Sequence, residues 1–385
     1  MSESISIQQI REALPVVSSK LYLNTGTFGP LPGLTIKAIE QRLQYELLQG
    51  RLGMKSFEEM GNIYSSARQH VATLLHAAVD EVALTDNTGE GLNIISYGFN
   101  WQPGDEVITT NHEHISALAP LYQLRDRFGI IIKIADLGPL AERSAEAAIE
   151  EQISEHTRLI VLSHVTWTTG AVVDVAAVAQ LAHARGIPVL VDGAQSAGAI
   201  PLNLPELGVD FYAIPMQKWL CGPDGTGALY VHQGSLEKVT PTYAGYFSIK
   251  HEEDVEWEFN DNAQRFEMGG RQTAALAGQA ASLTWMEETV THKVMFERIS
   301  ALNTYACERL QSLPNVNLLT PKAGASGLVA FSVAGQDPNE LVQFLQEKHN
   351  IYIRSIPAMK SLRISTGFYN TQEEIDTLLN AISDL

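Results

Sequence analysis

From about residue 80 to residue 232, short apolar runs alternate with helical patterns, and no other feature limits the fold so strongly. The runs are VALT (82–85), EVITT (106–110), IIIKIA (130–135), LIVLS (159–163), PVLVD (188–192), VDFYAI (209–214) and GALYV (227–231). Amphipathic stretches stand between several of them, such as ISALAPLYQLRDRF (115–128) and DVAAVAQLAHARG (174–186). Mostly apolar strands separated by helices predict a largely parallel sheet covered on both faces. After about residue 255 the pattern changes. Two long helical stretches (274–288 and 294–313) precede the strands VNLLT (316–320) and LVAFSV (328–333), then a helix near 338–349. The strands IYIRS (351–355) and LRIS (362–365) follow, with a closing helix from about 371. This mixture predicts a smaller α+β domain. QQIREALP predicts a first helix that ends at Pro15. The acidic and aromatic stretch near 245–260 reads as a linker or an interface segment.

Of the 385 residues, 45% are apolar and 18% charged, which excludes disorder as the general state. With 26 basic and 44 acidic residues the formal charge is −18. That balance argues against nucleic acid and anionic membranes as partners, since both reward Lys and Arg. A small anionic ligand needs only a local positive site. No run approaches the ~18 apolar residues of a spanning helix, and the first residues lack a signal-peptide pattern. Cys221 and Cys307 are too few for a disulfide framework or a CxxC site. The expectation is a soluble, reduced, cytoplasmic protein.

In an open α/β sheet, ligands sit outside the carboxyl ends of the strands. Four segments fall there: TDNTGEGLN (85–93), TTNHEHISAL (109–118), VLVDGAQSAG (189–198) and AIPMQKWLCGPDGTG (213–227). Asp192 closes an apolar strand. It reads either as a turn cap or as a carboxylate facing a cation in a poorly solvated pocket, with Gln195 in reach of the same ligand. Lys218 has mainly apolar neighbours and glycines at 222, 225 and 227. A lysine held away from water loses basicity, as Schiff-base chemistry requires. Thr88 and Gly89 open a helix whose N–H groups can face a phosphate, or they belong to an ordinary N-cap. His114 is either solvated or stacked on a planar ring. HEH (112–114) has no further ligand set, so metal is not expected. Arg363 and Arg354 suit capture of a carboxylate or a salt bridge on a strand face.

Taken in order, these segments resemble the class V aminotransferase family of fold type I pyridoxal-phosphate enzymes, from about residue 20 to 384. The resemblance rests on VDGAQSAG, the lysine followed by GPDGTGALYV, and the ending LRISTGFYNTQEEID. It implies a large cofactor-binding domain over 16–255 with a mostly parallel seven-stranded sheet. A smaller α+β domain over 256–385 would follow, with segment 1–15 packed on it. It implies a homodimer with the active site near the subunit interface. The cofactor implied is pyridoxal 5'-phosphate in a Schiff base with Lys218. Asp192 would face the pyridine nitrogen, Gln195 the ring hydroxyl, and His114 the ring itself. Thr88, Gly89 and Gln217 would hold the phosphate, and Arg363 with Arg354 the substrate carboxylate.

Some positions depart from the family pattern. Gln217 stands where His is common, Pro215 where Ser or Thr is, and Gly270 where Thr is. In SHVTWTTG (163–170), Trp167 and Thr168 stand near a usual Asn, which leaves Thr168 as the candidate for the cofactor hydroxyl. Cysteine desulfurases carry a sulfur-accepting Cys shortly before the carboxylate-binding Arg, whereas IYIRSIPAMKSLR (351–363) has none. Together with the opening YLNTGTFGPLP (22–32), this looks more like cysteine/cystine C–S lyases and isopenicillin N epimerase-like members, with Asn24 and Thr27 lining the substrate pocket. The function expected is therefore a pyridoxal-phosphate lyase that cleaves a C–S bond of a small sulfur amino acid by α,β-elimination. The alternative is an epimerase or aminotransferase of the same family. A desulfurase or a non-catalytic relative is less expected.

Overall fold

A computed structural model describes residues 5–250 and 257–383. The expected domain boundary near 255 and part of the acidic stretch lie outside the described residues.

Seven strands form one sheet: β1 (Val82–Thr85), β2 (Glu106–Thr110), β3 (Ile131–Ala135), β4 (Thr157–Ser163), β5 (Val189–Asp192), β6 (Phe211–Pro215) and β7 (Gly227–Val231). Their spatial order is β1-β7-β6-β5-β4-β2-β3. All neighbours are parallel except β7, which runs antiparallel to both β1 and β6. Side chains alternate between faces. Ile160, Leu162, Val189, Val191, Tyr212 and Ile214 enter one core, while Leu159, Val161, Leu190, Phe211 and Ala213 enter the other. Helices cover both, and this is why the strands read as unbroken apolar runs rather than alternating ones. Register then decides the site. Ser163 pairs with Asp192, and Asp192 with Ala213, so the carboxyl ends of β4, β5 and β6 lie level along one edge.

Four antiparallel strands follow in the C-terminal part, in the order Arg354–Ile356, Ser361–Ser365, Leu328–Val333, Val316–Leu318. The expected single strand 351–355 is two. Ile351–Tyr352 pairs with Leu21–Tyr22, and after Ile353 the chain joins the other sheet. The N-terminal segment is thereby tied to this part of the fold, and Asn24 bridges to Ser365. The expected helix 274–288 is also two pieces, Thr273–Thr284 and a π-turn at Trp285–Val290. The first helix, Ile7–Glu12, starts with a Ser6/Gln9 capping box. Its Arg11 pairs with Glu374 at 2.9 Å and donates to the Tyr369 carbonyl. Helices Gly33–Gln49 and Met54–Leu75 were not anticipated. The first turns its apolar residues largely outward, with Leu43, Leu47 and Leu48 exposed, so no buried stripe announces it. The second begins with Met54 and Phe57 exposed and buries an apolar stripe only in its later turns, at Tyr64, Ala67, Val71, Leu74 and Leu75. No helix among the described residues is long and apolar enough to cross a membrane.

Candidate active site

One small cavity lies over the level strand ends. It is lined by six residues expected from the sequence: His114, Asp192, Gln195, Lys218, Arg354 and Arg363. Lys218 sits just past β6 in a turn where the Cys221 N–H donates to its carbonyl. The N-terminal segment clamps this turn, since the Gly29 N–H donates to the Gln217 carbonyl at 2.7 Å. A Cβ on Gly29 would stand 2.0 Å from the Lys218 carbonyl oxygen, so only glycine permits the approach. Burial, with Arg363 and Arg354 nearby, pushes the Lys218 amine down to about 8, although Asp192 pulls it up. Burial raises the Asp192 carboxyl against the pull of Lys218 and of the Ala194 N–H, which donates to it at 2.8 Å. Such a carboxylate is stabilised by any cation set before it.

His114 caps helix Ile115–Phe128 by accepting from the Ser116 N–H. Burial and the cations Lys218, Arg354 and Arg363 push it down to about 4, so it is neutral at ordinary pH. Arg363 is fully buried, and burial with Arg354 beside it pushes it to about 9. One of its nitrogens donates to the Trp167 carbonyl at 2.6 Å, while Nε and Nη2 have no partner among the described residues. Two cationic arginines at one cavity without a carboxylate partner among the described residues make an anion receptor.

The remaining expected residues lie outside this lining. Thr88 and Gly89 begin helix Thr88–Gly98, with Asn87 as its N-cap. The Gln217 amide oxygen Oε1 is buried and has no partner among the described residues. Asn24 accepts from the Thr27 hydroxyl at 2.8 Å, and Thr27 lies 3.4 Å from an Arg354 nitrogen. The Thr168 hydroxyl is engaged with His112 at 2.8 Å, and it is Trp167 that enters the cavity. Gln195 is held on both sides, donating to the Gly26 carbonyl and accepting from Trp219.

Ser163, Trp167 and Glu113 were missed. Ser163 lines the cavity and donates to Glu113 at 2.6 Å. Glu113 also accepts from Thr110 and from the Ser163 N–H. Burial pushes its carboxyl up to about 7. The register pairing of Ser163 with Asp192 was the available signal, and it needs the sheet order. His164 lies behind the site with Nδ1 2.8 Å from the Tyr212 hydroxyl. Burial depresses it from 6.5 to about 4, so the unfolded chain binds one more proton across that window and stability falls as pH drops through it. His164→Asn is expected to flatten the slope of unfolding free energy between pH 6.5 and 4 by about 1.4 kcal/mol per pH unit. Chemical denaturation at a series of pH values measures this, and an unchanged slope would contradict it.

The sequence pattern of the aminotransferase class-V family matches residues 22–378. The chain belongs to that family. A probable cysteine desulfurase of Methanothermobacter thermautotrophicus is 28% identical, over 98% of this chain and 98% of its own. The cysteine desulfurase CsdA of Escherichia coli is 29% identical, over 97% of this chain and 96% of its own. Among solved structures, the cystine C–S lyase C-DES in complex with cysteine persulfide is 31% identical. It superimposes with a TM-score of 0.92 over 97% of this chain and 99% of its own. The mostly parallel seven-stranded sheet with its smaller companion is the fold type I architecture.

This family member is a pyridoxal-phosphate-dependent enzyme. Its residues fit the group. The cavity offers an amine of lowered basicity, a buried carboxylate that feels Lys218 but makes no contact ion pair among the described residues, and an uncharged imidazole. An aldehyde, a pyridine nitrogen and an aromatic face answer these in turn. The N-terminus of helix Thr88–Gly98, whose first N–H groups belong to Thr88 and Gly89, answers a phosphate.

Proposed function

We propose that this enzyme cleaves a C–S bond of cysteine or cystine by α,β-elimination. When bound, pyridoxal phosphate supplies the electron sink for a carbanion at the substrate's Cα. Lys218 attaches the cofactor and, once displaced by the substrate amine, takes the Cα proton on Nζ, where its lowered basicity suits a base working near neutral pH. Asp192 holds the charge of the protonated pyridine nitrogen. Neutral His114 packs on the ring without adding a positive charge beside it. Thr88, Gly89 and Gln217 hold the phosphate, and Gln195 stands on the hydroxyl side, while the Thr168 hydroxyl stays on His112. Arg363 holds the substrate carboxylate, with Arg354, Asn24 and Thr27 completing the pocket. Loss of the proton from Cα and of the sulfur group from Cβ leaves an enamine that water converts to pyruvate and ammonia. Cystine would also yield cysteine persulfide, and cysteine would yield sulfide.

The observation that carries elimination over desulfuration is where the cysteines are. The relatives' names support C–S cleavage either way. A desulfurase stores sulfur on an accessible thiolate. Cys221 and Cys307 are both buried, and burial pushes Cys307 up to about 12 and Cys221 higher still. Strand Arg354–Ile356 turns into Ser361–Ser365 through a single tight turn at Pro357–Met359, with no cysteine and no loop to carry one. The Cys221→Ser/Cys307→Ser double variant is expected to keep turnover within about threefold of the native rate, in keeping with replacements that remove no catalytic group. Loss of turnover in a folded double variant would make one of them a sulfur acceptor.

A homodimer is part of this reading. Leu47, Leu48, Leu52 and Met54 form an exposed apolar run, with Tyr243 and Tyr246 exposed elsewhere, and a second copy would cover such surface.

A further inference from the structure

Trp167 touches three of the other groups in the cavity wall. Its carbonyl accepts from Arg363, its ring lies 5.5 Å under the Arg354 guanidinium, and the His114 ring meets it edge to face at 5.3 Å. Its indole Nε1 is buried and has no partner among the described residues. A buried donor left unmet costs about 1–3 kcal/mol, so a group that comes to it is held firmly. The other buried donors of this wall without a partner among the described residues are Nε and Nη2 of Arg363. Those two form a fork that matches both oxygens of one carboxylate. A carboxylate has about four lone-pair sites, so two remain after the fork is filled.

We propose that the indole N–H of Trp167 is a third donor to the substrate's α-carboxylate, which makes Trp167 a determinant of selection for amino acids over simple amines. The proposal rests on the amino-acid reading of the site but not on C–S cleavage. Glycine is therefore the probe, since a C-DES variant is solved with glycine covalently linked to its PLP cofactor.

Trp167→Phe keeps the aromatic face beneath Arg354 and the edge contact with His114, and removes the N–H. In the holoenzyme, glycine binding followed through the cofactor's visible absorption is expected to weaken about 10- to 100-fold, as for loss of one hydrogen bond to a charged group. Methylamine, which has no carboxylate, should bind as it does to the native enzyme, and affinity for the cofactor should not move. Unchanged glycine binding would overturn the proposal. So would weaker cofactor binding or a shifted absorption band with glycine affinity intact, since the N–H would then serve the cofactor's hydroxyl. If the variant does not fold, native enzyme with ¹⁵N-labelled tryptophan gives the answer. One indole N–H signal should move downfield on glycine addition and stay in place with methylamine, and no such movement would overturn the proposal. Failure of C–S cleavage with these glycine results intact would count against the lyase and leave Trp167 in its role.

Discussion

Lys218→Ala is expected to leave a folded protein that holds no covalent cofactor and turns over at least about 10³-fold more slowly, in line with loss of a general base. The site explains both parts. The amine lies at the carboxyl edge of the sheet, partly withdrawn from water, with Asp192 attracting it and two arginines opposing it. Removing it gives up no cap and no strand pairing, and relieves a desolvated cation. The turn itself is held by backbone bonds from Gly29 and Cys221, which alanine keeps. The unfolding midpoint should therefore stay within a few degrees of native. Borohydride reduction followed by mass spectrometry of peptides reads the attachment. Cofactor found on a different lysine would contradict the assignment.

Asp192→Asn is expected to retain cofactor and lose about 10²- to 10³-fold in kcat, the range seen when one positioned charge-stabilising group is removed. The amide keeps the oxygen that accepts from the Ala194 N–H, so the local turn survives. What disappears is the negative charge held 4% exposed before the cavity. An amide cannot keep a pyridine nitrogen protonated, and the sink for the carbanion weakens accordingly. Near-native kcat in the variant would reduce Asp192 to a turn residue.

The sheet was legible because every residue of β5, β6 and β7 is buried, and such strands print as continuous apolar runs. Polar residues that interrupt those runs at their carboxyl ends, Asp192 and Lys218 above all, stand out for the same reason. Other features depend on long-range contact. IYIRS looks like one strand, but its two halves pair with segments far apart in sequence, Leu21–Tyr22 and Ser361–Ser365. The HEH triplet looks like one cluster, yet its side chains part. His112 goes to Thr168 and the Gly138 carbonyl, Glu113 to Thr110 and Ser163, and His114 to the cavity. Thr168 was the natural polar candidate in SHVTWTTG, whereas an indole whose value lies in one unmet N–H resembles any core aromatic until its neighbours are in place.

The most direct measurement is the carbon product. Native holoenzyme is incubated with cystine and, separately, with cysteine, and pyruvate, ammonia and alanine are quantified. Elimination predicts pyruvate and ammonia in equal amounts from at least one of the two, with no alanine and no persulfide on the protein. Alanine formed in step with protein-bound persulfide, or a racemised or keto-acid product from another amino acid with no pyruvate from either sulfur substrate, would contradict the account.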